Sequence, residues 1–188
     1  MQIEIFTDGS GMNATTAGGY GWVIVVDGTK LTEGNGHMPA ASNNDSELFA
    51  ALQGMVEAFK YIQTLEDKDH EVTLCSDSQI VLGWSNGSYR CRQEAKHNKV
   101  ESLQRLMLRL NAKTKWIKGH SGHVWNERCD VLANLGRHGL GPNDSLPGKK
   151  RSKVDKTIKT KRHEITVEYN GVPFLVNFTS MTITPTTK

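Results

Sequence analysis

The sequence predicts an α/β fold, a mixed sheet packed by helices, on the strength of three observations. β-rich segments come first and are separated by a two-residue turn signal, as in a hairpin. Two longer segments further on carry apolar residues at helical spacing. Short strand-like runs lie between and after them, so hairpins give way to alternating helix and strand.

Taken in order, residues 3–7 alternate apolar and polar and predict a strand that ends at Asp8-Gly9. Residues 19–26 are aromatic and β-branched, and residues 30–36 return antiparallel after the Asp27-Gly28 turn. A first helix is expected over 46–61, where Leu48, Ala51, Leu52, Met55 and Phe59 share one face. Residues 72–75 predict a short buried strand, followed by a helical stretch over 79–84. A second long helix is expected over 100–110, with Leu103, Leu106, Met107 and Leu110 at core spacing. Residues 115–117 give a last strand and 125–135 a last helix. The sequence shows no internal repeat.

A chain of 188 residues suits one well-cored domain plus an appendage. No apolar run reaches the length of a membrane span, and the first residues lack a basic segment followed by a signal-like apolar one. No membrane partner is therefore expected. Cys75, Cys91 and Cys129 are an odd, sparse set with no CxxC spacing. They read as reduced thiols, and the expected location is cytoplasmic.

Charge is unevenly spread. Residues 1–140 carry 14 Lys and Arg against 16 Asp and Glu, whereas residues 141–188 carry 9 against 4. The excess concentrates between Lys149 and Arg162, after a stretch rich in Gly and Pro. The expected division is a main domain over 1–138, a Gly/Pro-rich and then basic linker over 139–162, and a tail over 163–188. In that tail, residues 164–169 and 173–178 read as strands joined by Asn170-Gly171, a hairpin signal.

Function is carried first by four acids at the ends of apolar elements: Asp8, Glu47, Asp77 and Asp130. Each has a structural explanation of its own. Asp8-Gly9 is ordinary turn chemistry. Glu47 stands three residues after Asn44, as in a capping box. Asp77 suits the start of the following helix, and Asp130 suits an exposed helix face. The four together point elsewhere. If the strands ending near Asp8 and Asp77 are parallel neighbours, the two acids meet at the edge where α/β sheets bind ligands. Two carboxylates about 4 Å apart repel by roughly 4 kcal/mol at an effective dielectric of about 20. Gathering four calls for hard divalent cations, and oxygen-rich cages of this kind cleave phosphodiesters.

The phrases Thr7-Asp8-Gly9-Ser10, Ser42-Asn43-Asn44 to Glu47, and Ser76-Asp77-Ser78-Gln79 resemble type 1 ribonuclease H. So do Lys118-Gly119-His120-Ser121-Gly122-His123 and Asn126-Glu127-Arg128-Cys129-Asp130, in the same order over residues 1–136. The resemblance implies a ribonuclease H-like fold, a five-stranded mixed sheet with helices on both faces, here with a C-terminal β-hairpin extension. It also implies an endonuclease that hydrolyses the RNA strand of RNA–DNA hybrids, leaving 3′-hydroxyl and 5′-phosphate ends. Asp8, Glu47, Asp77 and Asp130 become the metal-binding acids, for two Mg²⁺ ions about 4 Å apart, with Mn²⁺ as a substitute.

By the same resemblance, His120 assists proton transfer and product release from a glycine-flanked loop; a plain turn histidine is the alternative. His120, His123 and Cys129 also have a superficially zinc-like spacing, but no further Cys or His completes a tetrahedral set. Asn43, Asn44 and Gln79 match the positions that sense the hybrid's minor groove, where the 2′-OH distinguishes RNA from DNA. Ser10 and Asn13 are further substrate-binding candidates.

Two departures stand out. Residues 82–99 form a shorter version of the basic, tryptophan-rich handle of bacterial relatives, retaining Trp84, Tyr89, Arg90, Arg92, Lys96 and Lys99. The basic tail is the other. Either it adds nucleic-acid contacts, or it is a solvated linker whose hairpin packs on a sheet edge or a second subunit. A monomer is expected, with a dimer through the hairpin as the alternative. The rival classes are a binding module without catalysis, and a resolvase or transposase that shares clustered acids.

Overall fold

The structure, a computed structural model, describes residues 1–66 and 69–146, together with the backbone of three strands further on. The chain divides into two units, Met1–Pro147 and Gly148–Lys188.

The first unit holds strands β1 (Gln2–Ser10), β2 (Gly18–Val26), β3 (Thr29–Met38), β4 (Glu71–Ser76) and β5 (Lys113–Trp116). Its helices are α1 (Asn43–Ile62), α2 (Gln79–Ser85), α3 (Glu94–Arg109) and α4 (Val124–Arg137). The sheet order is β3-β2-β1-β4-β5. β1–β2 and β2–β3 are antiparallel, while β1–β4 and β4–β5 are parallel. This is the expected five-stranded mixed sheet. The β2–β3 turn is Asp27-Gly28, both with positive φ (47° and 78°), as a type I′ hairpin turn requires.

Alternation along the strands feeds two cores. Ile3, Ile5, Ile24 and Leu74 pack with Leu48 and Met55 of α1 and Leu103 of α3. Phe6, Val23, Val25 and Cys75 pack on the other face with Cys129 and Leu132 of α4. Each fully buried Ile or Leu stabilises the fold by about 1.5–3 kcal/mol. The close seating of α4 depends on glycines in β2. A Cβ at Gly19 would stand 2.1 Å from the Arg137 nitrogen, and one at Gly21 would stand 2.5 Å from the Leu132 Cβ.

Several boundaries differ from expectation. β1 continues through Asp8 to Ser10, because Asp8 pairs with Gly21 and Ser10 with Gly19 instead of turning. α1 begins at Asn43 and not at 46. Its capping box joins Ser42 to Asp45, so the Asn44–Glu47 pairing does not form. Ser78, and not Asp77, accepts the capping bond of α2. α3 begins six residues before 100, on a polar turn without apolar periodicity. β5 lies two residues earlier at its start than the run over 115–117. Trp84 and Lys96, read as remains of the handle, are instead buried at 7% and 6% exposure. Tyr89, Arg90 and Arg92 are exposed.

The segment after α4 stays with the first unit. Arg128 donates to the Pro142 carbonyl (2.9 Å) and Asn35 donates to the Leu140 carbonyl (3.0 Å). In the second unit, β6 (Glu164–Tyr169), β7 (Val172–Asn177) and β8 (Thr182–Pro185) form an antiparallel sheet in the order β6-β7-β8. The basic run from Lys149 to Arg162 and the Asn170-Gly171 turn lie outside the described residues. Among the described residues, no helix is long and apolar enough to cross a membrane.

Candidate active site

Strand register brings the first two acids together. Phe6 of β1 is level with Cys75 of the parallel β4, so Asp8 and Asp77 each stand two residues further along adjacent strand directions. Glu47 comes from the first turns of α1, and Asp130 from α4 on the opposite face. The four carboxylates line one cavity of about 480 Å³, together with Ser10, Asn43, His120 and Asn134.

Each acid is oriented by a neighbour. The Gly9 N–H donates to Asp8 Oδ1 (2.7 Å). Ser78 Oγ donates to Glu47 Oε2 and Asn43 Nδ2 to Glu47 Oε1, both at 2.5 Å. Asn126 Nδ2 donates to Asp77 Oδ2 (3.3 Å), and Asn134 Nδ2 donates to Asp130 Oδ1 (3.0 Å). Ser10 Oγ in turn donates to Asn134 Oδ1 (3.2 Å). Ser78, Asn126 and Asn134 are the functional neighbours that sequence reasoning missed. Ser78 and Asn126 stand inside phrases that sequence reasoning singled out without giving them a role, and Asn134 stands four residues after Asp130 on the same helix face.

Electrostatics record the crowding. Burial, with the charge of Asp77 next and those of Asp130 and Glu47 after it, pushes the Asp8 carboxyl up to about 8 against the opposing Gly9 N–H. Glu47 is raised by burial and by Asp77, against the hydrogen bonds from Ser78 and Asn43 and the charge of Lys96.

This donor set fits a hard cation. Among the described residues, Asp8, Asp77 and Asp130 each keep one carboxylate oxygen with no hydrogen-bond partner. No three acid, His or Cys side chains among them close into a tight ligand cluster; the acids ring an open cavity. An open ring of oxygens suits Mg²⁺, which retains water ligands. Each Glu47 oxygen accepts one hydrogen bond, which leaves one lone pair on each for a further partner.

His120 is exposed at the rim with φ 50°, between Gly119 and Gly122. A Cβ at Gly119 would stand 2.6 Å from Asp77 Oδ2, so glycine there lets the loop approach the acids. His123 belongs elsewhere, with its ring 5.0 Å from Phe6, and Cys129 is wholly buried in the α4 core. Burial also raises the Cys129 thiol well above its usual range.

The substrate-binding candidates divide. Ser10 and Asn43 line the cavity. Asn44 follows in α1, half-buried and outside the lining. Asn13 lies in an exposed turn, bonded to Thr15 and away from the acids. Gln79 opens onto a neighbouring groove with Tyr89 and Trp116.

A five-stranded mixed sheet whose strand ends and flanking helices deliver four acids to one cavity defines a candidate metal-dependent nuclease of α/β type. The sequence profile of the RNase H family matches residues 1–138, and the chain belongs to that family; it is a ribonuclease H. Ribonuclease H of Escherichia coli O139:H28 is 32% identical over 135 residues, covering 70% of this chain and 86% of that protein. The Shigella boydii serotype 18 protein matches equally, at 32% over 135 residues. Among solved structures, RNase H1 of Halobacterium salinarum NRC-1 aligns with TM-score 0.61 and 22% identity, over 72% of this chain and 97% of that one. LC11-RNase H1, solved in complex with RNA/DNA hybrid, aligns with TM-score 0.63 and 22% identity, over 72% and 96%.

Proposed function

We propose that this ribonuclease H hydrolyses the RNA strand of RNA–DNA hybrids with divalent cations, leaving 3′-hydroxyl and 5′-phosphate ends. The carrying observation is that carboxylates from β1, α1, α4 and the bend just after β4 line one cavity, three of them with an oxygen that accepts no hydrogen bond from the described residues. Asp8, Asp77 and Asp130 would hold the cations, with Glu47 joining them, and two Mg²⁺ ions are expected, with Mn²⁺ able to replace them. When bound, such cations activate the attacking water and stabilise the leaving oxygen.

The other residues bind and orient. Asn43 donates to Glu47 and accepts from the Gly11 N–H (3.3 Å), leaving one amide hydrogen and one lone pair for a ribose 2′-OH. Ser10, donating to Asn134, still accepts. His120, exposed at the rim, would carry a proton to the leaving oxygen and let product go. The likeness in fold to a protein that holds RNA/DNA hybrid supports the substrate.

A hybrid labelled on either strand, incubated with Mg²⁺ or with EDTA, tests this reading. Cutting of the RNA strand with Mg²⁺ alone is expected, and Asp8→Asn abolishes it. An intact RNA strand in the presence of Mg²⁺ refutes the proposal.

A further inference from the structure

Lys96 is a cation buried where a cation is costly. It stands in the first turn of α3 at 6% exposure, with Nζ 2.9 Å from Asp45 Oδ1 and 5.8 Å from the Trp84 ring centroid. Buried charges persist when they are paired, and removing one partner strands the other. Both partners belong to elements that hold Glu47. Asp45 closes the capping box with Ser42 that sets the start of α1, two residues before Glu47. Trp84 lies at the end of α2, whose cap Ser78 is the hydrogen-bond donor to Glu47 Oε2.

We propose that Lys96 is a positioning residue for the nuclease site: it clamps the start of α1 to α2 and so fixes Glu47 relative to the other acids. The proposal rests on the reading of the four carboxylates as cation ligands. It gives one residue of the shortened handle region a role inside the molecule. Lys96 itself touches neither cation nor hybrid. Its charge reaches Glu47 directly, and its contacts act through the Asp45 cap on one side and the Trp84 ring on the other, converging on the same carboxylate.

Three variants test it: Lys96→Met, Lys96→Arg and Asp45→Asn. Each is compared with the unaltered full chain by steady-state cleavage of a hybrid and by the rise in melting temperature on Mg²⁺ titration without hybrid. Loss of a group that orients a ligand costs roughly 10- to 100-fold in metal affinity or activity. Lys96→Met should therefore lower kcat about tenfold or more at near-constant KM, and raise the Mg²⁺ concentration at half-maximal thermal shift. Asp45→Asn should move both in the same direction. Lys96→Arg, able to stack on Trp84 and pair with Asp45, should restore much of both.

A Lys96→Met chain that melts earlier but keeps its kcat and Mg²⁺ midpoint overturns the proposal, leaving a merely structural pair. A raised KM with kcat unchanged overturns it too, in favour of duplex binding. Should Lys96→Met fail to fold, Asp45→Asn carries the same two readouts. Failure of the unaltered chain to cut hybrid is a failure of the proposed function instead. The Mg²⁺ thermal shifts still judge Lys96 in that case.

Discussion

With its carboxyl held up at about 8, Asp8 stays protonated at neutral pH in the metal-free fold, whereas 3.8 is its ordinary value. Between those values the folded chain binds a proton that the unfolded chain has lost. Its stability therefore falls as pH rises from about 4 to about 8, by up to about 1.4 kcal/mol per pH unit, and levels off above. Glu47, also raised, acts in the same direction. Against the opposing effect of burial, Asp45 is lowered by the Ser42 hydrogen bond and then by Lys96, and Glu33 by Arg128 and Lys30; both act oppositely, adding stability that is lost only in acid. A divalent cation selects the ionised carboxylates and competes with the proton. Melting curves across this range should show the rise in melting temperature on adding Mg²⁺ growing with pH. Asp8→Asn should flatten the metal-free slope. A Mg²⁺ shift independent of pH would contradict the shared site.

At the scale of elements, β1 and α1 meet backbone to backbone. A Cβ on Gly9 would stand 2.2 Å from the Glu47 nitrogen and 2.5 Å from the Ser46 carbonyl carbon, neither of which is a flexible side-chain end. Gly9→Ala must push the start of α1 off the sheet and carry Glu47 with it. Overpacking of this kind costs about 1–3 kcal/mol. A displacement of about 1 Å at a reacting centre costs on the order of 100-fold in rate. Gly28→Ala is the control, because Gly28 lies in the hairpin turn at φ 78° with open space around it. It should lower stability by about 1 kcal/mol through backbone strain alone, with kcat unchanged. Equal loss of activity in both would show that Gly9 acts only through stability.

The same packing explains which elements were legible in sequence. Strands with alternating burial and the apolar face of α1 announce themselves locally. The early start of α3 does not, because its first turn is held by Lys96 reaching Asp45, a tertiary pairing that no periodicity carries. Asp8-Gly9 reads as a turn until its partner is known. Opposite Gly21, and against the start of α1, it is strand. The acids were legible from their phrases, whereas Ser78 and Asn126, which orient two of them, act through hydrogen bonds between elements.

At the scale of the whole molecule, the unit that carries the site is acidic overall, and the chain's positive charge lies beyond it. Between Lys149 and Arg162 the sequence has eight Lys and Arg against one Asp. A duplex approaching a ring of acids meets repulsion at short range, and a basic segment on the same chain offsets it by binding phosphates regardless of sequence. Deletion of residues 148–188 isolates this effect, since the first unit has its own cores and keeps the Arg128 and Asn35 bonds to residues 140–142. A cut at 141 would remove a bonded carbonyl at Pro142 and confuse stability with binding. The truncated chain should keep its kcat and melting temperature while KM for hybrid rises. The slope of log KM against log salt should shrink by about one for each phosphate that the basic run no longer neutralises. The comparison is most sensitive at low salt, where such charge pairing is least screened. An unchanged KM and salt slope would assign the basic run to a solvated linker and leave hybrid binding to the first unit.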